Sequence, residues 1–220
     1  PSSAASDVYK RQCMLSGKRN MKVSKIYPVE IYEWNDSWLH DWVHTCNQLV
    51  WKERGSGVRN AGPDLHKLPM FDSLTRWFNE CLTDLHRQKN YDCGGFKISS
   101  MWANHYRPGT QQEAHRHANS YWSAVYYLTG GAPTVFYDPL MQRALGQWDI
   151  HTLPIIAPDG AVDDNGPQVY QSDAKKGKLV IFPSWLVHDT CVADIDRYSI
   201  SFNALPHGKI NQGIANIDVL

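Results

Sequence analysis

Three of the ten histidines in the chain sit where they could share one metal ion. His115 and His117 are separated by one residue, and on an extended segment the side-chain period of two places both imidazoles on the same side. Two such groups can share a cation at about 2.0–2.2 Å each. His188 follows the strand-like run KLVIFPSWL (178–186), and a closed or folded sheet would bring it beside the pair. Imidazole suits several metals, so the spacing alone does not name one. The remaining histidines read differently. His40, His44, His66 and His86 fall on polar faces of helical segments and are expected at the surface. His105 alternates with Asn104 and Tyr106 and should point away from them. His151 and His207 have no partner pattern.

A second group of residues is suited to an anion. In the run Arg197-Tyr-Ser-Ile-Ser-Phe-Asn203, strand alternation puts Arg197, Ser199, Ser201 and Asn203 on one face and Tyr198, Ile200 and Phe202 on the other. An inward polar face needs partners, and a guanidinium beside a hydroxyl is suited to capturing a carboxylate. Three histidines for a cation and an Arg/Ser pair for an anion together point to a metal-chelating diacid. Glu113 and Asp189 are nearby carboxylates that could complete a metal site. Glu113 is merely in phase with His115, and Asp189 should point opposite to His188, so both rank below His117.

These groups need a scaffold. From Lys25 to Trp34 the pattern suggests an opening strand, and Asn35-Asp36-Ser37 offers caps for a helix carrying Leu39, Trp42, Val43, Cys46, Leu49 and Val50. Residues 55–69 read as loop. A second helix follows, with Phe71, Leu74, Phe78, Cys81, Leu82 and Leu85 on one face. After Gly94 the pattern turns to short strands at Lys97–Tyr106, Trp122–Thr129, Thr134–Tyr137, Asp149–Ile156, Lys178–Phe182 and Arg197–Leu205, with residues 157–178 as a long polar loop. Evenly spaced short strands with turn signals predict a β-sandwich or jelly roll. The expected fold is mainly β (α+β), a double-stranded β-helix with two or three supporting N-terminal helices. Helical support spans 35–90 and the jelly-roll core 94–205 within one domain, 21–220.

Composition narrows the function further. The chain has 220 residues, and 22 basic side chains balance 22 acidic ones, so no basic stripe marks a nucleic-acid binder. No apolar run is long enough to span a bilayer. The expected location is the cytoplasm, or a host cytoplasm for a phage-borne gene. Cys13, Cys46, Cys81, Cys93 and Cys191 are widely spaced without a Cys-x-x-Cys, which fits free thiols better than a disulfide or zinc–thiolate framework. Ser2 to Gln12, SSAASDVYKRQ, reads as the translation of a sequencing adapter. Residues 1–20 are therefore expected to be a non-native leader, with Met14 or Met21 as the start and Met21 favoured.

The ordered motifs resemble a known family. Asn104-His-Tyr106-Arg-Pro-Gly, His115-Arg-His117-Ala-Asn-Ser, Ser123-Ala-Val-Tyr-Tyr127-Leu, Phe182-Pro-Ser-Trp-Leu-Val-His188 and Arg197-Tyr-Ser199 together resemble the 2-oxoglutarate/iron(II) dioxygenase superfamily. They are most similar to a small bacterial and phage group with a His-x-His…His motif. The resemblance covers roughly residues 94–205. It implies a jelly roll with Fe(II) at its open end, held by His115, His188 and His117, the last standing where most members carry a carboxylate. It also implies that 2-oxoglutarate is bound by Arg197, assisted by Ser199, Tyr127, Asn104 and Tyr106. The reaction implied is C–H hydroxylation of a small-molecule or peptidyl substrate, with decarboxylation of 2-oxoglutarate to succinate. No catalytic side chain beyond the metal centre is expected. Trp122, Trp102 and Trp185 lie close to these motifs in sequence and are candidates for a substrate pocket, although core packing is the commoner use of such residues. Two other readings stay open: a cupin-like three-histidine metalloenzyme without 2-oxoglutarate, and a non-catalytic β-sandwich module.

Overall fold

The structure, a computed structural model, describes residues 29–36, 40–54, 57–137, 139, 155–156, 162–163, 169–214 and 217–219. The adapter-like leader, both candidate start methionines and most of the 138–168 stretch lie outside them, as do residues 25–28 and 149–154 of two expected strands, the described remainder of each containing a strand.

The chain is mainly β. Its strands are β1 (Tyr32–Asn35), β2 (Lys52–Glu53), β3 (Val58–Ala61), β4 (Gly95–Tyr106), β5 (Trp122–Tyr127), β6 (Thr134–Tyr137), β7 (Ile155–Ile156), β8 (Val162–Asp163), β9 (Val169–Gln171), β10 (Lys178–Pro183), β11 (His188–Thr190), β12 (Arg197–Ile210) and β13 (Ile217–Val219). A large antiparallel sheet runs β1-β10-β5-β12-β4-β3-β2, with β13 added to the end of β12. A small sheet runs β11-β6-β9. The chain passes from the large sheet to the small one at β5–β6 and again at β10–β11, as a jelly roll requires.

Alternation along the strands builds two separate cores. Leu179 and Ile181 of β10, Ala124 and Tyr126 of β5, Ile200 and Phe202 of β12, and Met101 and Ala103 of β4 meet α2 (Asp72–Lys89) through Leu74, Phe78, Cys81, Leu82 and Leu85. Each large apolar side chain buried there contributes about 1.5–3 kcal/mol. α2 is an amphipathic helix with Asp72 in its first turn and His86, Arg87 and Lys89 in its last, which complements the helix dipole. It ends at Asn90 in the left-handed conformation, which Asn tolerates. On the opposite face of the large sheet, Val125, Tyr127, Val180 and Phe182 pack with Phe136 and Leu186 at the small sheet. The space between the two sheets opens beside this second cluster.

Several expectations are corrected. The first helix, α1 (Trp42–Cys46), is a single turn capped by Asp41, whose carboxylate accepts from the His44 amide, and not by residues 35–37. Leu49 is only half-buried and Val50 is exposed beyond its end. The loop expected over 55–69 contains β3, which pairs with β4 from Val58↔Tyr106 to Ala61↔Ala103, and two 3-10 turns at Leu65–Lys67 and Pro69–Phe71. A four-residue polar strand has no alternation to see; the long edge of β4 supplies its pairing. β9 likewise interrupts the expected 157–178 loop by pairing with β6.

Candidate active site

The inner face of β12 is the floor of the site, and sheet register sets its neighbours. Arg197 lies opposite Tyr106, Ser199 between Asn104 and Tyr127, Ser201 between Trp102 and Val125, and Asn203 between Ser100 and Ser123. A cavity of about 640 Å³ opens above them, bounded by Asn104, Tyr106, Arg197 and Ser199 at its base and by His115, His117 and His188 at its side.

The three histidines converge. The segment carrying His115 joins the small sheet through paired backbone bonds, His115 N to His188 O and His188 N to His115 O, both 2.9 Å. His117 N donates to Ser184 O at 2.9 Å, which fixes the second ring on the same side. One ring nitrogen of each residue lies within 4.8 Å of the other two, the single such group of metal-ligand types among the described residues. The ring geometry also fixes the tautomers. Each Nδ1 faces an acceptor: Glu113 O at 2.8 Å for His115, Asn203 Oδ1 at 2.7 Å for His117, and Leu186 O at 2.9 Å for His188. In the neutral ring the proton then sits on Nδ1, which leaves Nε2 a bare lone pair, the form a metal takes. Burial, against Phe182 and Phe136, pushes the His188 pKa down to about 3. Burial lowers His117 too, against the opposing pull of its bond to Asn203. Both are neutral near pH 7, as ligands must be.

Arg197 is the other half of the site. It is 1% exposed, yet its Nε and Nη2 have no hydrogen-bond partner and Nη1 reaches only Ser199 Oγ, at 3.3 Å. Its guanidinium lies 4.7 Å from the Tyr106 ring centre and 5.2 Å from that of Tyr127. Aromatic faces stabilise a cation but satisfy none of its N–H groups. A buried, half-satisfied guanidinium is costly unless an anion completes it. Ser199 Oγ accepts from both Arg197 and Asn104 Nδ2, the latter at 3.4 Å, so its own proton is free to donate into the cavity. Asn104 is held by Ser201 Oγ at 2.9 Å and by Asn60 Nδ2 at 2.6 Å. The residues therefore fit a divalent cation and a carboxylate ligand side by side.

The remaining sequence candidates separate. Tyr127 is fully buried, and its hydroxyl is taken up by Thr134 Oγ1 at 2.8 Å and Ser172 Oγ at 2.6 Å, so its ring supports Arg197 while its hydroxyl does not face the cavity. Trp102 lines the cavity and stacks at 5.9 Å on His117. Trp122 does not; it is 3% exposed in the helix-side core among Tyr32, Tyr91 and Phe96. Trp185 is 53% exposed on the β10–β11 turn and does not line the cavity either. Glu113 contributes only its backbone carbonyl, and Asp189 is bound by the Tyr137 hydroxyl, so neither joins the histidines. His105 turns away as expected, stacking on Tyr198 at 4.2 Å and meeting Asp196 at 2.6 Å. His40 and His44 are at the surface, whereas His66 and His86 are half-buried, the latter bonded to Cys93 O at 3.1 Å.

Sequence reasoning missed how Asn203 is used. Its Oδ1 accepts from His117 and from Ser123 Oγ at 2.9 Å, and Ser123 is bonded to Ser184 at 2.8 Å, all three being buried. The signal was present, since Asn203 is in phase with Arg197, but only the fold shows which histidine it meets.

Comparison with known proteins agrees with this geometry. Residues 100–203 match the family model described as "Putative 2OG-Fe(II) oxygenase". That segment belongs to the 2-oxoglutarate/Fe(II) oxygenase family. It contains every histidine of the cluster together with Asn104, Tyr106, Tyr127, Arg197, Ser199 and Asn203. By that match residues 100–203 form an oxidoreductase segment of the class that uses iron and 2-oxoglutarate. No curated protein sequence matches it. Among solved structures, the oxygenase resembles a prolyl-4-hydroxylase from Pseudomonas putida (TM-score 0.51, 14% identity, 80% of this chain and 92% of that one). It also resembles HygX from Streptomyces hygroscopicus with nickel and 2-oxoglutarate bound (TM-score 0.56, 12% identity, 87% and 93%). A third similar structure is an oxidoreductase of the 2OG-Fe(II) oxygenase family from Burkholderia pseudomallei (TM-score 0.53, 11% identity, 81% and 80%). At these identities the structures share the fold. Among the described residues no helix is long and apolar enough to cross a membrane.

Proposed function

We propose that His115, His117 and His188 hold Fe(II) through Nε2, that Arg197 with Ser199 binds the distal carboxylate of 2-oxoglutarate, and that the enzyme hydroxylates a C–H bond of a small-molecule or peptidyl substrate. In balance, 2-oxoglutarate, O₂ and R–H give succinate, CO₂ and R–OH. Bound iron supplies the activation of oxygen. The chain's part is positional. Backbone carbonyls of Glu113 and Leu186 and the amide of Asn203 orient the three rings; Asn104 and Tyr106 shape the wall between Arg197 and the metal side; Phe136 and Phe182 keep water from His188. His117 in place of a carboxylate leaves the centre one unit more positive, which favours an anionic co-substrate.

The observation that carries this reading is Arg197, a buried cation with two unpartnered nitrogens whose side chain lines the same cavity as the three histidines. A three-histidine centre that used no diacid would leave that charge uncompensated. Succinate formation from 2-oxoglutarate by the Fe(II)-loaded protein, screened across substrate classes, tests the proposal. Metal binding with no 2-oxoglutarate binding would reject it in favour of the cupin-like alternative.

A further inference from the structure

The cavity extends beyond the metal and the diacid pocket, and its outer part carries its own charge. Arg54 and Arg116 line it, and neither forms an ion pair among the described residues. Glu53, the acid next to Arg54 in the chain, is taken up by Arg107 at 2.9 Å. No Asp or Glu is among the described lining residues, although acids and bases balance in the chain as a whole. The two arginines come from different parts of the fold: Arg54 follows β2 at the edge of the large sheet, and Arg116 lies between His115, bonded to β11 of the small sheet, and His117, bonded to Ser184 just after β10. Trp102, Asn60 and Asn119 line the same cavity.

Charge bookkeeping separates this region from the co-substrate pocket. A dianionic 2-oxoglutarate offsets two of the three positive charges that a divalent metal and the buried Arg197 bring to the cavity floor, so none of its charge is left over for the rim. Arg54 and Arg116, both exposed, are then left as two unmatched guanidinium groups at the rim. A volume of about 640 Å³ lies within the range of small-molecule sites, roughly 300–1,000 Å³, with space beyond a five-carbon diacid. Guanidinium groups select planar or tetrahedral oxyanions by paired N–H donation, and an indole face takes a flat or apolar body.

We propose that the outer cavity binds a small substrate bearing a carboxylate or phosphate, its anionic group between Arg54 and Arg116 and its body against Trp102, with the bond to be oxidised directed at the histidine cluster. This rests on the reading of the inner cavity as the iron and 2-oxoglutarate site.

The test is anaerobic calorimetry on the full chain loaded with Fe(II) and 2-oxoglutarate. The probes are phenylacetate and phenyl phosphate, set against the neutral phenylacetamide and the cationic phenethylamine. The anions should bind at least about tenfold more tightly than the other two, and more weakly as salt rises. Arg54→Gln and Arg116→Gln should each weaken the anions by roughly tenfold while leaving phenylacetamide unaffected. The preference between phenylacetate and phenyl phosphate tells which oxyanion the rim prefers. Equal binding of anion and amide overturns the proposal. So does competition between the anions and 2-oxoglutarate, which would place them at Arg197, or tighter binding of an acidic peptide or oligonucleotide than of either small anion. Failure of the Fe(II) protein to take up 2-oxoglutarate at all would overturn the inner-site reading and this one with it; an absent anion preference in the formed complex overturns this one alone.

Discussion

The two faces of β12 do opposite work. Ile200, Phe202 and Ala204 face α2 and are fully buried in a dense apolar core, with every neighbour chemically alike. Arg197, Ser199, Ser201 and Asn203, one residue out of phase, are almost as buried but polar, and at Arg197 incompletely satisfied. The first face supplies folding energy that holds the second in an arrangement it would not adopt unaided. An unpartnered buried guanidinium costs stability and gains a use only when a ligand anion arrives. Stability and chemistry are thus separated by strand alternation rather than by distance.

Substitutions on the two faces should divide cleanly. The largest effect is expected at Phe202→Ala, which opens a cavity beside Phe78 and should cost about 3–5 kcal/mol of unfolding free energy in chemical denaturation. If 2-oxoglutarate affinity fell as far as stability in folded samples of this variant, the division would fail. Next is Arg197→Ala, which should weaken 2-oxoglutarate binding by roughly ten- to a hundredfold while leaving the apoprotein at least as stable as before. A large loss of melting temperature without ligand would mean that Arg197 has a structural partner.

A smaller effect is expected at Asn203→Leu, which removes the acceptor of the His117 Nδ1 proton and should lower metal affinity about tenfold. Asn203→Asp keeps an acceptor there and should restore it; equal loss in both variants would show that Asn203 only fills space. The smallest effect concerns the helix-side core. Burial pushes the Cys46 and Cys81 thiols up to about 12, from an ordinary value near 9. Below pH 9 both stay protonated, so alkylation of the native protein at pH 8 should run more slowly than that of a free thiol. Faster labelling would show that this core opens.

Much of this was legible in the sequence, and the misses have physical causes. The polar face of β12 follows from period-two alternation, as does the outward turn of His105. The same rule applied to β5 separates Ser123, Val125 and Tyr127, which face the cavity layer, from Trp122, Ala124 and Tyr126, which face α2. Trp122 is near His117 in sequence but out of phase with the cavity-facing residues of β5, and so enters the helix-side core. Trp102 lies in phase with Asn104 and Tyr106 on β4 and does reach the cavity. β3 was invisible because Val58-Arg-Asn-Ala61 has neither length nor alternation and exists through its partner β4. Its approach depends on Gly62, where a side-chain carbon would lie 2.6 Å from Trp102 Cβ, a constraint no local pattern announces.

The central claim is that a three-histidine metal centre and a buried arginine act together on one diacid. The most direct measurement is anaerobic titration of 2-oxoglutarate into the Fe(II)-loaded protein, followed by visible absorption of the metal complex, with Arg197→Ala alongside. The account predicts a saturable complex that requires the metal and is weakened roughly ten- to a hundredfold in the variant. Saturation with equal affinity in both proteins, or no complex with a fully metallated protein, would contradict it.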